Sequence, residues 1–342
     1  MDDGQENLGT TGRAGTAKEL LETAFSKIKE LDAGSEPSHL FPNGISLVDL
    51  QIELGADQSS SLRLALKLSG ATAQVSPVIS MLTGEEDTGL TFDARGHRVI
   101  ALIAMNDLTE RLPDVAAKLQ QILDDGGRDL GDAAIFPDVI RNSQPETKPF
   151  HFIDIPFKDG GPANPDLPPA PHVLAQIEER TEFFRNGGGT AQENIDAVSW
   201  LIHMFGDIHQ PLHCIEHISP LHPKGDRGGN SFRLKGSAQN LHHIWDSSVS
   251  PFGSADEEEL AVGIAQEHTR DSLAQDLGIT EPEAWARASF KLAKRHAYTI
   301  MENPQNLPKP STAYLKKMEK VGRRQAALAG YRLANRLAEV LP

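Results

Sequence analysis

Trp200-Leu-Ile-His203-Met-Phe-Gly-Asp207-Ile-His209-Gln-Pro-Leu-His213 decides how this chain reads. At 100° per residue it ends a predicted helix over about 191–208. Ile195, Val198, Ile202 and Phe205 share one face of that helix, and Ala197, Trp200, Leu201 and Met204 make most of the remainder apolar. A helix that is apolar nearly all round is a buried helix. Yet Asp196, Ser199, His203 and Asp207 form one narrow polar stripe along it. Burying such groups is costly unless they are paired or bound to a cation. Pro211 lies just past the expected end of the helix, where helices often stop.

About thirty residues on, His242-His-Ile-Trp-Asp246 repeats the spacing. A His and an Asp four residues apart share one face of a helix. One such pair alone reads better as a buried ion pair. Two pairs, with His213 beside the first, are more than one ion needs and predict a cluster of metal ions. Ligands that are mostly imidazole with some carboxylate suit zinc. The segments Asp138-Val-Ile-Arg141 and His151-Phe152-Ile-Asp154 add a carboxylate and an imidazole, and His97 sits at an apolar helix start. Each of these is ordinary by itself.

From Gly96 onward the pattern is strongly helical. Helices are predicted at His97–Leu112, Asp114–Leu123, 131–142, 172–186, 191–208, 255–276, 281–301 and 312–340. Pro113 fits the first turn of the second. A long Pro-, Gly- and Asp-rich loop is expected over 156–171. Residues 217–241 read as loop with one short hairpin, Ser231–Leu234 being the strand candidate. The first 91 residues carry one amphipathic helical stretch, Ala17 to Leu31, and otherwise Pro- and Gly-punctuated sequence. They read as a poorly structured extension before a single, mainly α domain at 92–342.

The 342 residues carry a net charge of −15, which argues against nucleic-acid binding through a broad basic surface. It leaves room for a site whose positive charge comes from bound metal. Cys214 is the one cysteine, so no intrachain disulfide forms and the redox compartment stays unreadable. No apolar run is long enough to span a membrane. The polar, acidic start MDDGQENLGTTGRAG is not that of a signal peptide.

Taken in order, GHRVIALIA, FPDVIR, FHFIDIPF, WLIHMFGDIHQPLH, GDRGGNSF, NLHHIWDS and GYRLANRLAEVL resemble one family over roughly residues 92–342. It is the zinc-dependent single-strand-specific nucleases, or nuclease/3′-nucleotidases, which share a helical fold with bacterial zinc phospholipases C. The resemblance implies that fold and three zinc ions. It implies Asp138, His151, His203 and Asp207 at one ion, with Asp207 bridging, and His213, His242 and Asp246 at a second. His97 and Asp207 match the third. The family completes that third site with the free amine and carbonyl of an N-terminal Trp. Here the corresponding residue is Phe92, inside the chain. An internal amide nitrogen is no zinc ligand at neutral pH, so the intact chain is expected to lack that chelate and a chain cut before Phe92 to regain it.

The implied reaction is hydrolysis of single-stranded DNA or RNA to 5′-phosphorylated products by attack of a zinc-bridging hydroxide, with 3′-nucleotidase activity beside it. Arg141 matches a residue that holds the phosphate or an Asp ligand, and Asn230 a cleft residue that could bond a phosphate oxygen. Phe152 and Asp154 match a nucleobase pocket, with the ring stacking and the carboxylate accepting from the base edge. Nucleic acid or nucleotides are then the substrate, with no stable membrane association and no protein partner expected. Family members are usually exported, so a secreted or periplasmic location is implied despite the absent signal. The alternatives are a zinc phospholipase C-like enzyme, which tends to carry Glu where Asp246 stands, and a catalytically impaired zinc-binding homologue. His209 is expected to point away from the ligands, and His217, His222 and His243 to face solvent. His39, His172, His268 and His296 show no partner in the sequence.

Overall fold

Prolines and small polar residues set the helix starts. The structure, a computed structural model, describes residues 47–54, 62–68, 94–236, 240–250 and 256–341. The chain divides into two compact units, Met1–Thr88 and Gly89–Pro342. In the first, β1 (Leu47–Leu54) and β2 (Leu62–Leu68) pair antiparallel. Their register puts Asp49 opposite Lys67, Ile52 opposite Leu64 and Glu53 opposite Arg63. The alternation in LVDLQIEL and LRLALKL is the period-two signal of a strand, which the reading of an unstructured extension passed over. The helical stretch expected at Ala17–Leu31 lies outside the described residues.

The second unit is mainly helical. Its elements are α1 (Ala94–Arg111), α2 (Pro113–Asp125), α3 (Leu130–Ile140), a 3₁₀ turn (Pro145–His151), β3 (Pro156–Phe157), α4 (Val173–Arg185) and α5 (Ala191–Asp207). A second 3₁₀ turn (Pro211–Cys214), β4 (Glu216–His217), α6 (Leu241–Asp246), α7 (Glu257–Glu267) and α8 (Ala274–Leu277) follow. The order ends with α9 (Pro282–His296), a 3₁₀ turn (Ala297–Thr299) and α10 (Thr312–Val340). Pro113 and Pro282 open α2 and α9, where a missing N–H costs nothing. Thr190 and Glu193 form a capping box at the start of α5. Asp129, Asn240 and Ser311 cap α3, α6 and α10.

Helix α5 is the axis of this unit. It packs against α1, α2, α3, α4 and α10, and every residue from Ala197 to Asp207 is buried. The main core surrounds it with Leu108, Leu119, Leu123, Ile153, Ile177, Trp245 and Leu337 among others. A second core joins α1, α7 and α10 through Ile100, Ile103, Ile264 and Ala326–Ala329. Close packing of α1 on α10 depends on Gly330, where a Cβ would run into Ile103.

Two elements depart from expectation. The helix expected over 255–276 breaks after Glu267, because Thr269 and Ser272 bond each other's backbone and side chain locally. Arg270 in that break reaches Asp107 (2.9 Å) and Asn335 (2.6 Å), tying the turn to α1 and α10. The hairpin expected near Ser231–Leu234 is a single antiparallel bridge, Arg233 to Asn240. The small sheet of this unit is instead parallel, with Pro156 opposite Glu216 and Phe157 opposite His217. Among the described residues no helix is long and apolar enough to cross a membrane.

Candidate metal centre

Eight side chains converge around the C-terminal half of α5. His203 and Asp207 come from α5 itself, His97 from the first turn of α1, and Asp138 from the last turn of α3. His151 and His213 end and lie within the two proline-led 3₁₀ turns, and α6 supplies His242 and Asp246. All eight are buried. The backbones of the two turns run side by side: Ile153 N–H donates to the His213 carbonyl at 2.8 Å, and His213 Nδ1–H to the His151 carbonyl at 2.9 Å.

Asp207 is the fork of the arrangement. Its Oδ2 lies 3.1 Å from His151 Nδ1 and 3.2 Å from His203 Nε2. Its Oδ1 lies 3.5 Å from His97 Nε2 and 3.2 Å from His213 Nδ1. One carboxylate thus faces two sets of imidazoles. Asp138 Oδ1 sits 3.8 Å from His151 Nδ1 and 3.7 Å from His203 Nε2. Asp246 Oδ1 sits 3.5 Å from His213 Nε2 and 3.6 Å from His242 Nε2.

Three sets of ligand atoms each fall within a 4.8 Å span: His97, His203 and Asp207; Asp138, His151 and His203; and His213, His242 and Asp246. The last set is the expected one; in the first two, Asp207 groups with His97 and not with Asp138, and His203 serves both. Phe92, and with it the expected completion of the His97 group, lies outside the described residues.

The donor set fits metal ions. His203 Nδ1–H donates to the Ala134 carbonyl (2.8 Å) and His242 Nδ1–H to the Gly228 carbonyl (2.8 Å), so in each ring Nε2 turns to the cluster. This is the usual way a ligating imidazole is oriented. His213 Nε2 and Asp207 Oδ1 are buried with no hydrogen-bond partner, although an unsatisfied buried polar atom is costly. His151 Nδ1 and His203 Nε2 approach to 3.0 Å with carboxylates on either side, a contact that a shared cation would relieve.

Without a cation the groups compensate one another. Burial alone would raise the Asp207 carboxyl, but His203 and His213 hold it well below the usual range. His213 is pushed up to about 10 against burial by Asp207 and Asp246, and His203 is raised by Asp207 and Asp138. Burial lowers His97, His151 and His242.

Around the cluster stand the other expected residues. Arg141 Nη1 lies 3.9 Å from Asp138 Oδ1, on the half-exposed side. Phe152 and Asp154 alternate with Ile153 and Ile155; the two isoleucines are fully buried while Phe152 and Asp154 are half-buried. Phe152 belongs to neither apolar core. Burial pushes Asp154 up to about 6 against the pull of His213, with Asp226 adding to the rise. Asn230 is exposed and donates its side-chain amide to the Arg227 carbonyl (2.9 Å).

Gln210, which the sequence did not single out, is fully buried and donates to Asp246 Oδ1 at 2.8 Å. Its place inside GDIHQPLH, between two ligands, was the available signal. His209 points away from the cluster as expected: Nδ1–H donates to the Phe205 carbonyl and Nε2 accepts from Arg332. His217 does not face solvent; its ring stacks on Phe157 and meets the edge of Tyr298. His222 pairs with Glu302 at 2.9 Å and His243 is half-buried, so neither is freely solvated. His172 has a partner after all, as the N-cap of α4, and His268 lies 3.6 Å from Glu267. His39 lies outside the described residues.

A helical unit built round one buried helix, with imidazoles and carboxylates from five further elements meeting at its end, is an α-helical domain whose clustered side chains could hold metal ions. The chain is a member of the S1/P1 nuclease family, whose family model matches residues 92–342. It is similar to Nuclease S1 of Aspergillus oryzae, 29% identical over 163 residues that make up 45% of this chain and 53% of that one. It is also similar to Endonuclease 2 of Arabidopsis thaliana, 27% identical over 175 residues, 47% of this chain and 57% of that one. Endonuclease 4 of Arabidopsis thaliana is 25% identical over 248 residues, 64% of this chain and 80% of that one. The chain thus spans a little over half the length of the first two relatives.

Proposed function

We propose that residues 92–342 form a zinc-dependent phosphodiesterase domain that hydrolyses single-stranded DNA or RNA to 5′-phosphorylated products and removes 3′-phosphates from nucleotides. The observation that carries this is Asp207, whose two oxygens face different imidazole sets 3.1 to 3.5 Å away. A bridging carboxylate is what a multi-ion centre needs and what a lone His–Asp pair does not.

Asp138, His151, His203 and Asp207 would hold one ion, His213, His242 and Asp246 another, and His97 with Asp207 a third. Bound zinc would supply Lewis acidity and an activated water for attack on phosphorus. The chain's own part is to hold that centre still and to place the substrate. Ala134, His151 and Gly228 carbonyls fix three rings, and Gln210 fixes Asp246. Arg141 adds a cation beside Asp138 on the half-exposed side, where a phosphate oxygen can meet it. Asn230 sits on an exposed loop from which its amide can turn to a second oxygen. Phe152 offers a ring face outside the core and Asp154 an acceptor two residues on. Stacking requires an unpaired base, which favours single strands.

The test is a substrate panel on the full-length, zinc-loaded chain: a single-stranded oligonucleotide, the same sequence as duplex, and phosphatidylcholine. Faster cutting of the single strand, with 5′-phosphate ends, is expected. Release of phosphocholine at a higher rate would replace this reading with that of a lipid phosphodiesterase. Zinc binding with no hydrolysis of any of the three would leave a metal-binding protein only.

A further inference from the structure

We infer that Glu216 is a positioning residue for the His213, His242 and Asp246 group, acting through the Gly225–Gly229 turn; the inference rests on the metal-centre reading above. Glu216 lies on β4, where its N–H donates to the Ile155 carbonyl at 2.9 Å. It is therefore tied to the same short sheet that sets His151 beside His213. Its Oε1 accepts the Arg227 N–H at 3.2 Å. The turn wraps closely round that carboxylate. At Gly225 (φ 100°) a Cβ would lie 2.6 Å from Glu216 Cγ and closer still to the carboxylate.

The turn is held in an uncommon conformation. Arg227, Gly228 and Gly229 all have positive φ, 57°, 58° and 85°. For Arg227 that region is disfavoured, and it persists only when neighbours hold it. Two acids do so. Glu216 bonds the Arg227 N–H. Asp226 takes the His217 N–H (3.1 Å) on Oδ1 and the Tyr298 hydroxyl (2.8 Å) on Oδ2. The purpose shows at the next residue. The Gly228 carbonyl accepts His242 Nδ1–H at 2.8 Å, which aims His242 Nε2 at the cluster. At Gly228 any side chain would strike the Leu212 backbone, so the turn cannot drift toward the 3₁₀ segment that carries His213.

What the turn needs from Glu216 is an acceptor at the right reach. Burial, with Asp154 and Asp226 nearby, pushes Glu216 up to about 7 although the Arg227 N–H pulls the other way. A neutral isostere is therefore close to the state the fold already favours. Glu216→Gln keeps an acceptor oxygen in place. Glu216→Ala removes it, and Glu216→Asp keeps the charge but withdraws it by one methylene.

The experiment is zinc competition against a chromophoric chelator on the full-length chain, with native mass spectrometry counting ions. His242→Ala identifies the ion in question. Relative to wild type, Glu216→Ala and Glu216→Asp are expected to weaken that ion about 10- to 100-fold, and Glu216→Gln less than about threefold, with the remaining ions unchanged. If Glu216→Ala does not fold, the Asp and Gln variants decide alone, since reach and charge order them oppositely. Tight binding by Glu216→Asp with loss in Glu216→Gln overturns the inference, as does unchanged binding by Glu216→Ala while His242→Ala loses an ion. If His242→Ala holds as much zinc as wild type, the metal-centre reading itself fails and takes this inference with it.

Discussion

The imidazole of His97 stacks on that of His203 at 3.8 Å between centroids, with their planes 13° apart. Two rings from different helices come this close because α5 carries Gly206 where α1 crosses it. A Cβ at Gly206 would stand 2.6 Å from His97 Nδ1 and 2.9 Å from its Cε1. Gly206→Ala is therefore expected to push His97 aside. Overpacking of this kind costs about 1–3 kcal/mol. Thermal unfolding should show the loss, and zinc titration should show weaker binding with the His213 group unaffected. Wild-type stability and affinity in this variant would mean that the rings do not need this contact.

Removal of metal should expose the electrostatic compromise in the cluster. His213 has its pKa raised on folding, so its contribution to stability is full below about 6.5 and is lost as pH rises through its folded value of about 10. His97, His151 and His242 have theirs lowered, so they oppose folding as pH falls below that same unfolded value. The carboxyls of Asp207 and Asp246, lowered on folding, lose their contribution at still lower pH. The chelated chain is expected to be most stable near neutrality and to weaken toward both pH 5 and pH 10. The zinc-loaded chain should melt higher throughout, because an ion that binds only the folded state adds about 2.7 kcal/mol at a hundred times its dissociation constant. Calorimetry with and without chelator across that range checks both.

Phe152 is the clearest candidate for base contact because its neighbours Ile153 and Ile155 are in the core and it is not. Phe152→Ala should leave the fold intact and raise KM for a single-stranded oligonucleotide by about 5- to 150-fold, the equivalent of 1–3 kcal/mol of stacking. A change in melting temperature without a change in KM would return the ring to a packing role.

Asp154 accepts from a base edge most strongly as the carboxylate. Burial pushes Asp154 up to about 6, so substrate affinity is expected to be sensitive to acid. Bound cations would pull that value lower, so KM is expected to rise as pH falls through about 6 or somewhat below. Asp154→Asn should flatten that dependence. A KM profile identical in the two proteins would remove Asp154 from the pocket.

The parts legible in the sequence were those written in one element. The helix of His203 and Asp207 announced itself by a polar stripe on an apolar cylinder, and His242 with Asp246 by the same four-residue spacing. His97, Asp138 and His151 lie on three other elements, so no local pattern could join them; resemblance did, and the structure brings each within reach of His203. Gln210 carries no periodicity to betray it, and only its place between two ligands in GDIHQPLH pointed to it. The break between α7 and α8 was missed because apolar residues resume at Leu273 and Leu277, while the local hydroxyl bonds at Thr269–Ser272 interrupt the helix. The β1–β2 pair was legible in its alternation, but the surrounding Pro and Gly drew the reading toward an unstructured segment.

The central claim is that Asp207 couples ions whose joint presence carries hydrolysis. Zinc titrated into the chelated full-length chain, with cutting of a single-stranded oligonucleotide followed at each step, tests it most directly. Activity is expected to stay near background through the first equivalent and to rise only as a further ion fills, and Asp207→Asn should remain inactive at every zinc level. Full activity at one equivalent, in the chelated chain without added metal, or in Asp207→Asn would contradict the account.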